Sequence, residues 1–213
     1  NGHETWMWDD ASSGPRQVWG IYSYDNLEFL VQQRKTRKSL KTVQIDPNIA
    51  GRAYQIEGIK RVYEDFEVGK RRALMVMATG SGKTRTAIAL VKGLLQTNWV
   101  KRVLFLADRD ELLKQAMDRK NSFKVFLPDS PRVRITPETI KNREASIYFA
   151  TYQTMINYYD QYNVGFFDLI IADESHRSIY KSYKDILEYF DAYLLGLTAT
   201  PVDFINRIVT KGS

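Results

Sequence analysis

From residue 52 onward the chain alternates two textures. Nearly unbroken apolar runs occur at Ala73–Met77, Val103–Ala107, Ile147–Ala150, Phe167–Ala172 and Tyr193–Leu197. Each has the length of a strand. A run that is apolar at almost every position suits a strand buried on both faces, as in a parallel sheet. Between them lie stretches of helix length. In Lys83–Gln96 the residues Ala87, Ile88, Val91, Leu94 and Leu95 recur at three- and four-residue spacing and line one face. Asp110–Met117 and Lys184–Phe190 repeat that pattern. The alternation predicts an α/β fold, a doubly wound and mostly parallel sheet flanked by helices on both faces.

Residues 1–50 are patterned differently. Trp6, Trp8 and Trp19 lie here, and the aromatic run Val18–Tyr24 predicts a strand or hairpin. Asp25–Gln33 predicts a short helix with Asp25 near its N-cap. Arg34–Lys41 carries five basic residues in eight. Such a run is a solvated linker or, alternatively, a phosphate-contacting patch. Asp46-Pro47-Asn48 marks a break. The expected organisation is a lead or linker segment with a short hairpin and helix over residues 1–50, then one domain over 51–213.

Composition narrows the chemistry. The 213 residues suffice for one domain of ordinary size. The absence of an initiator Met reads as a fragment, and no apolar run or leader pattern predicts a membrane span or signal peptide. With no cysteine there is no disulfide framework, zinc finger or thiol catalysis. Two histidines, His3 and His176, exclude a multi-histidine metal site. The net charge of +6 fits either a soluble surface with spare lysines or a polyanion partner such as nucleic acid.

The sharpest local signal is Met77-Ala78-Thr79-Gly80-Ser81-Gly82-Lys83-Thr84, between a predicted strand and a predicted helix. Gly80 and Gly82 let the backbone curl with its amides inward, and the helix N-terminus adds partial positive charge. Lys83 can reach the β- and γ-phosphates of a nucleotide, and the Thr84 hydroxyl can ligate Mg²⁺. Thr79, Gly80, Ser81 and Gly82 complete the cradle. Met77 stands where the usual pattern has its first glycine.

A second signal follows the run Phe167–Ala172: Asp173-Glu174-Ser175-His176. Two acids directly after a buried strand lie at the carboxyl edge of the sheet, where ligands bind in open α/β folds. Asp173 is placed to hold Mg²⁺ through its water shell, and Glu174 to orient or deprotonate an attacking water. A helix N-terminus that favours acids is the bland alternative, weakened by the phosphate loop upstream. His176 is suited to pass information from the hydrolytic site to a neighbouring loop by hydrogen bonding.

The phosphate loop, Asp-Glu-Ser-His and Thr198-Ala199-Thr200-Pro201 come in the order and spacing of motifs I, II and III of superfamily 2 helicases and translocases. Arg52-Ala53-Tyr54-Gln55 resembles the adenine-reading Q-type motif, which implies Gln55, with Arg52, as the base contact. Ala107–Gln115 resembles motif Ia, with Ala-Asp-Arg in place of the common Pro-Thr start, and implies a DNA-backbone role near Arg109 and Gln115. Ala150–Met155 resembles the Ib/Ic region, where Thr151 would meet a phosphate. Thr198 and Thr200 would couple nucleotide state to a partner lobe.

Taken together, MATGSGKTRTA, LFLADR, YQTM, FDLIIADESHRSIY and GLTATP are similar to the motor (R, or HsdR) subunit of type I restriction enzymes, over roughly residues 50–205. The resemblance implies the first RecA-like lobe of an ATP- and Mg²⁺-dependent motor that translocates double-stranded DNA. Methylase and specificity subunits would be its partners and the cytoplasm its place. Another superfamily 2 helicase or a type III restriction subunit is the alternative. A P-loop kinase would leave Asp-Glu-x-His and Thr-Ala-Thr unexplained. The family's nuclease needs a Glu/Asp-x-Lys string on a strand. The sole instance, Asp118-Arg119-Lys120, closes a predicted helix, so no nuclease site is expected in this chain.

Overall fold

The computed structural model describes residues 4–9, 13–174 and 177–200. A hairpin of β1 (Thr5–Asp9) and β2 (Ser13–Val18) leads to helix α1 (Tyr24–Thr36). A 3₁₀ turn at Leu40–Thr42 and helix α2 (Ala53–Glu67) come next. The sheet then begins with β3 (Arg72–Val76), followed by α3 (Lys83–Gln96), β4 (Val103–Ala107), α4 (Asp110–Asp118) and the short α5 (Phe123–Phe126). β5 (Arg132–Arg134), β6 (Ile147–Thr151) and the one-turn α6 (Tyr152–Met155) follow. β7 (Leu169–Asp173), α7 (Arg177–Tyr189) and β8 (Tyr193–Thr198) complete the order.

The six-stranded sheet runs β3-β8-β7-β4-β6-β5, and every pairing in it is parallel. β4, β6, β7 and β8 are buried along their whole length, as their unbroken apolar runs require. Their side chains alternate between two cores. Val103, Phe105, Ala107, Ile147, Phe149, Leu169 and Ile171 face α2, α3 and α4. Leu104, Leu106, Tyr148, Ala150, Ile170 and Ala172 face the side holding Tyr152, Met155, Ile186 and Phe190. The predicted architecture is therefore the observed one.

The helix α3 that opens behind the phosphate loop is buried nearly all round. Gly93 lets α2 approach it, because a Cβ there would overlap the Tyr63 hydroxyl, which donates to Leu90 O at 2.9 Å. Arg85 donates to Ile49 O at 2.8 Å, and Lys92 pairs with Asp46 at 2.8 Å. These two contacts hold the 46–49 segment against α3.

The N-terminal region departs from expectation. The hairpin strands are Thr5–Asp9 and Ser13–Val18, not Val18–Tyr24. The aromatic run is instead the crossing into α1: Trp19, Ile21 and Tyr24 are exposed while Tyr22 turns inward to Asp191. The cap of α1 is Ser23, whose hydroxyl accepts from Asn26 N at 3.3 Å. Arg34–Lys41 is not a free linker. Arg34 and Lys35 close α1, where cations suit the helix dipole. Arg37 stacks 4.2 Å over Trp99, and the Lys38 backbone bonds Thr97 O at 3.0 Å and Trp99 Nε1 at 2.8 Å. β5 had no sequence signal because it is three residues long with two arginines. Asp118, Arg119 and Lys120 are exposed at the end of α4, so no nuclease strand forms there.

Candidate active site

The carboxyl ends of β3, β8 and β7 lie side by side, with Val76 opposite Thr198 and Leu197 opposite Asp173. The loop after β3 and the acids after β7 therefore flank the end of β8. Thr198 ties this edge together: it is fully buried, its carbonyl accepts the Met77 N–H at 2.8 Å, and its hydroxyl accepts Thr200 N at 3.2 Å. Pro201, at the end of the Thr-Ala-Thr-Pro string, and His176 and Ser175 lie outside the described residues.

The phosphate loop is a closed curl. Ser81 returns to Ala78 O through its N–H at 3.1 Å and its hydroxyl at 2.6 Å. Gly80 (φ 77°) and Gly82 (φ 93°) occupy the left-handed region that a side chain resists. Thr79 and Gly80 are exposed at the loop's crest, and Gly82 is the N-cap of α3, followed by Lys83 and the half-buried Thr84.

Across the edge, Lys83 Nζ meets Glu174 Oε1 at 2.6 Å. Glu174 itself sits at φ 52°, in the left-handed region uncommon for a side-chain-bearing residue. Asp173 is buried at the end of β7. Its carboxylate accepts the Glu174 N–H at 3.0 Å and, among the described residues, pairs with no cation. Burial, and then the neighbouring Glu174 charge, push it up to about 6. Among the described residues no cluster of three or more His, Cys, Asp or Glu side chains gathers to hold a metal. The donors present are a hydroxyl, Thr84, and a carboxylate, Asp173. Such a sparse set of hard oxygens fits a Mg²⁺ that keeps most of its waters and takes further ligands from phosphate.

The Arg52–Gln55 segment lies against the loop. Gln55 is buried, with Nε2 donating to Ser81 O at 3.2 Å and Oε1 accepting Arg52 N at 3.2 Å. Its amide is thus engaged within the protein, with one hydrogen and one lone pair left over. Tyr54, which the sequence reading passed over, donates its hydroxyl to the same Ser81 carbonyl at 2.8 Å. Nothing in the spacing Arg-x-Tyr-Gln shows that the tyrosine crosses to the loop.

The expected DNA contacts separate. Arg109 caps α4 with an exposed guanidinium, and Gln115 is exposed on the same helix. Thr151 is different. It is buried, it caps α6, and its hydroxyl accepts Thr154 N at 3.0 Å and pairs with Thr154 Oγ1 at 2.9 Å. The hydroxyl expected on a phosphate thus serves, through its oxygen, as the helix cap. Beside it Gln153 is exposed and reaches Asp108 at 3.3 Å.

Comparison with known proteins gives the family and the fold. The chain is 38% identical over 160 residues to the endonuclease subunit of the type I restriction enzyme EcoAI from Escherichia coli, covering 70% of this chain and 19% of that protein. It thus spans about a fifth of that curated relative's length. A solved fragment assigned to the HsdR subunit of a type I restriction enzyme from Vibrio vulnificus YJ016 superposes with a TM-score of 0.56 at 28% identity, over 99% of this chain and 38% of that one. The SWI2/SNF2 ATPase core from Sulfolobus solfataricus, solved with double-stranded DNA, shares the fold at a TM-score of 0.56 and 19% identity, over 71% of this chain and 32% of that one. The architecture is that of the RecA-like motor domains of superfamily 2 helicases. The family model described as "Type III restriction enzyme, res subunit" matches residues 48–203, a span that holds the phosphate loop, both acids and the Thr-Ala-Thr turn, and the chain belongs to that family.

Proposed function

We propose that this chain is the ATP-binding first motor lobe of a type I restriction enzyme R subunit, part of a machine that uses ATP to translocate double-stranded DNA. The observation that carries the proposal is the Lys83–Glu174 contact, which brings the phosphate loop and the second acid together across 91 residues of sequence. Incoming phosphates compete with Glu174 for the Lys83 ammonium. Binding therefore hands Lys83 to the nucleotide and releases the Glu174 carboxylate to face a water. Glu174 orients or deprotonates that water. Thr84 and Asp173 would hold Mg²⁺, which when bound neutralises phosphate charge. Gly80 to Lys83 present backbone amides to the phosphates, and Thr198 links the loop and the acids through β8. Arg52 and Gln55 are the proposed contacts to the base. Arg109 and Gln115 are the proposed contacts to DNA phosphates, and methylase and specificity subunits are the proposed partners.

The test is calorimetric titration of MgATP against the parent and Lys83→Ala. The expected result is saturable binding by the parent and none by the variant. Equal affinity for both proteins overturns the assignment. The matched family takes its description from type III enzymes, so the second reading is a type III restriction subunit. The two separate on whether the full-length protein copurifies with a distinct DNA-specificity subunit.

A further inference from the structure

Three donors from the start of α2 converge on one acceptor, the carbonyl of Ser81. Tyr54 Oη reaches it at 2.8 Å, Gln55 Nε2 at 3.2 Å and, more loosely, Arg52 Nη1 at 3.5 Å. Arg52 Nη1 also donates to Tyr54 Oη at 2.7 Å, which leaves the phenolic hydrogen free to point at Ser81. The space is closed behind them: a Cβ on Gly82 would stand 2.6 Å from Gln55 Nε2. So the φ of 93° calls for glycine at the next position, and a side chain there would also have to push the Gln55 amide aside.

The direction of the Ser81 carbonyl matters for binding. No cis peptide occurs among the described residues, and in a trans peptide the N–H points opposite to the C=O of the same unit. Pulling the Ser81 carbonyl toward α2 aims the Gly82 N–H away from α2. Gly82 is also the N-cap of α3, the residue before the lysine. A loop whose peptide 81–82 were free to rotate would lose a donor aimed at anion and would have to order it on binding.

We propose that Tyr54, with its hydroxyl oriented by Arg52, is a positioning residue that sets peptide 81–82 of the phosphate loop before nucleotide arrives. The inference rests on the nucleotide-binding reading above and assigns Tyr54 a role that neither base contact nor phosphate contact would give it. The ring is half exposed, so its removal to phenylalanine deletes the hydroxyl and leaves the packing of α2 in place.

Two measurements on this chain test it, with MgADP as the probe. In ¹⁵N–¹H spectra of the nucleotide-free protein, Tyr54→Phe should shift the Gly80, Gly82 and Lys83 amides and speed their hydrogen exchange, while amides of β4 and β6 stay fixed. In calorimetry the same variant should bind MgADP about five-fold more weakly, the scale of one lost hydrogen bond, with the ratio of ADP to GDP affinity unchanged. Arg52→Lys should act in the same direction and less strongly. Loop amides that do not move in Tyr54→Phe overturn the inference whatever the affinity does. So does an unchanged MgADP affinity beside a Lys83→Ala variant that has lost it. If the loop amides move but the parent itself takes up no MgADP, the clamp stands and the nucleotide reading falls.

Discussion

The two ends of the same sheet treat a buried aspartate in opposite ways. At the amino edge, Asp191 precedes β8. It receives Arg16 Nε at 2.6 Å, Arg71 Nη2 at 3.0 Å and the Tyr22 hydroxyl. Burial alone would push its carboxyl up, but the Arg71 and Arg16 guanidiniums outweigh burial and hold it below the ordinary carboxylate range. At the carboxyl edge, Asp173 is buried to a similar degree and among the described residues accepts one backbone N–H; burial and then the Glu174 charge push it up to about 6 against the opposing pull of Lys83. One acid is met by two guanidiniums, and the other, among the described residues, by none. A buried carboxylate short of cations costs stability, which is the physical ground for the Mg²⁺ role proposed for Asp173. β8 connects the two, beginning beside Asp191 and ending at Thr198 between the loop and Asp173.

The largest effect expected from breaking this contrast lies at the carboxyl edge. In the full-length protein Glu174→Gln should leave MgATP binding intact and slow hydrolysis by about 10²–10⁴, the range for losing a positioned base. Steady-state phosphate release with duplex DNA measures it. A rate within a few-fold of the parent would mean that Glu174 serves only to hold Lys83.

Next come two substitutions that should move stability in opposite directions. Asp191→Ala strands two guanidiniums that are only about a fifth exposed. Breaking such a pair typically costs about 3–5 kcal/mol. Because the folded value of Asp191 lies below its unfolded value of about 3.9, its contribution is complete above that pH and is lost as pH falls through the folded value. Asp173→Asn instead removes a buried charge beside Glu174 and should raise stability by about 1 kcal/mol while abolishing Mg²⁺-dependent nucleotide binding. Urea denaturation midpoints of the two variants decide the matter. The same sign for both would erase the distinction between the edges.

The carboxyl edge was largely legible in the sequence and the amino edge was not. Gly80, Gly82, Lys83, Asp173 and Glu174 are read from local spacing beside apolar runs, because a ligand that binds strand ends selects short strings. Asp191 carries no such string. Its partners Arg16, Tyr22 and Arg71 come from 175, 169 and 120 residues away, and only the folded sheet shows that they meet. The same reason hid Tyr54, whose acceptor is 27 residues on. The hairpin lies upstream of the aromatic run because only Val18 of that run is strand: beyond it Trp19, Ile21 and Tyr24 face solvent and Tyr22 turns to Asp191. Arg34–Lys41 was underestimated because charge hides the use of Arg37 as a flat surface against Trp99.

The smallest effect concerns Thr151, a residue at the ligand edge whose bonding resembles that of the amino edge. It ends β6 beside the exposed Gln153, in a position where a hydroxyl on a DNA phosphate was expected. Yet its oxygen already accepts Thr154 N and meets Thr154 Oγ1, and the side chain is buried. Where the Thr151 hydrogen is the one shared with Thr154 Oγ1, a phosphate gains it only by breaking that contact. Thr151→Ala should therefore destabilise the fold by about 1 kcal/mol, the usual cost of losing an N-cap, and Thr151→Ser should recover it. Arg109 is the opposite case, with an exposed guanidinium whose nearest carboxylate, Asp108, is 3.9 Å away. Arg109→Ala should leave stability within about 0.5 kcal/mol, weaken duplex DNA binding alike for all sequences and reduce the salt slope by about one. Fluorescence anisotropy against a salt series, paired with urea unfolding of the same proteins, reads both quantities. If Thr151→Ala lowers the salt slope as Arg109→Ala does, the threonine touches phosphate despite its cap, and a group completed by the fold can serve a ligand after all.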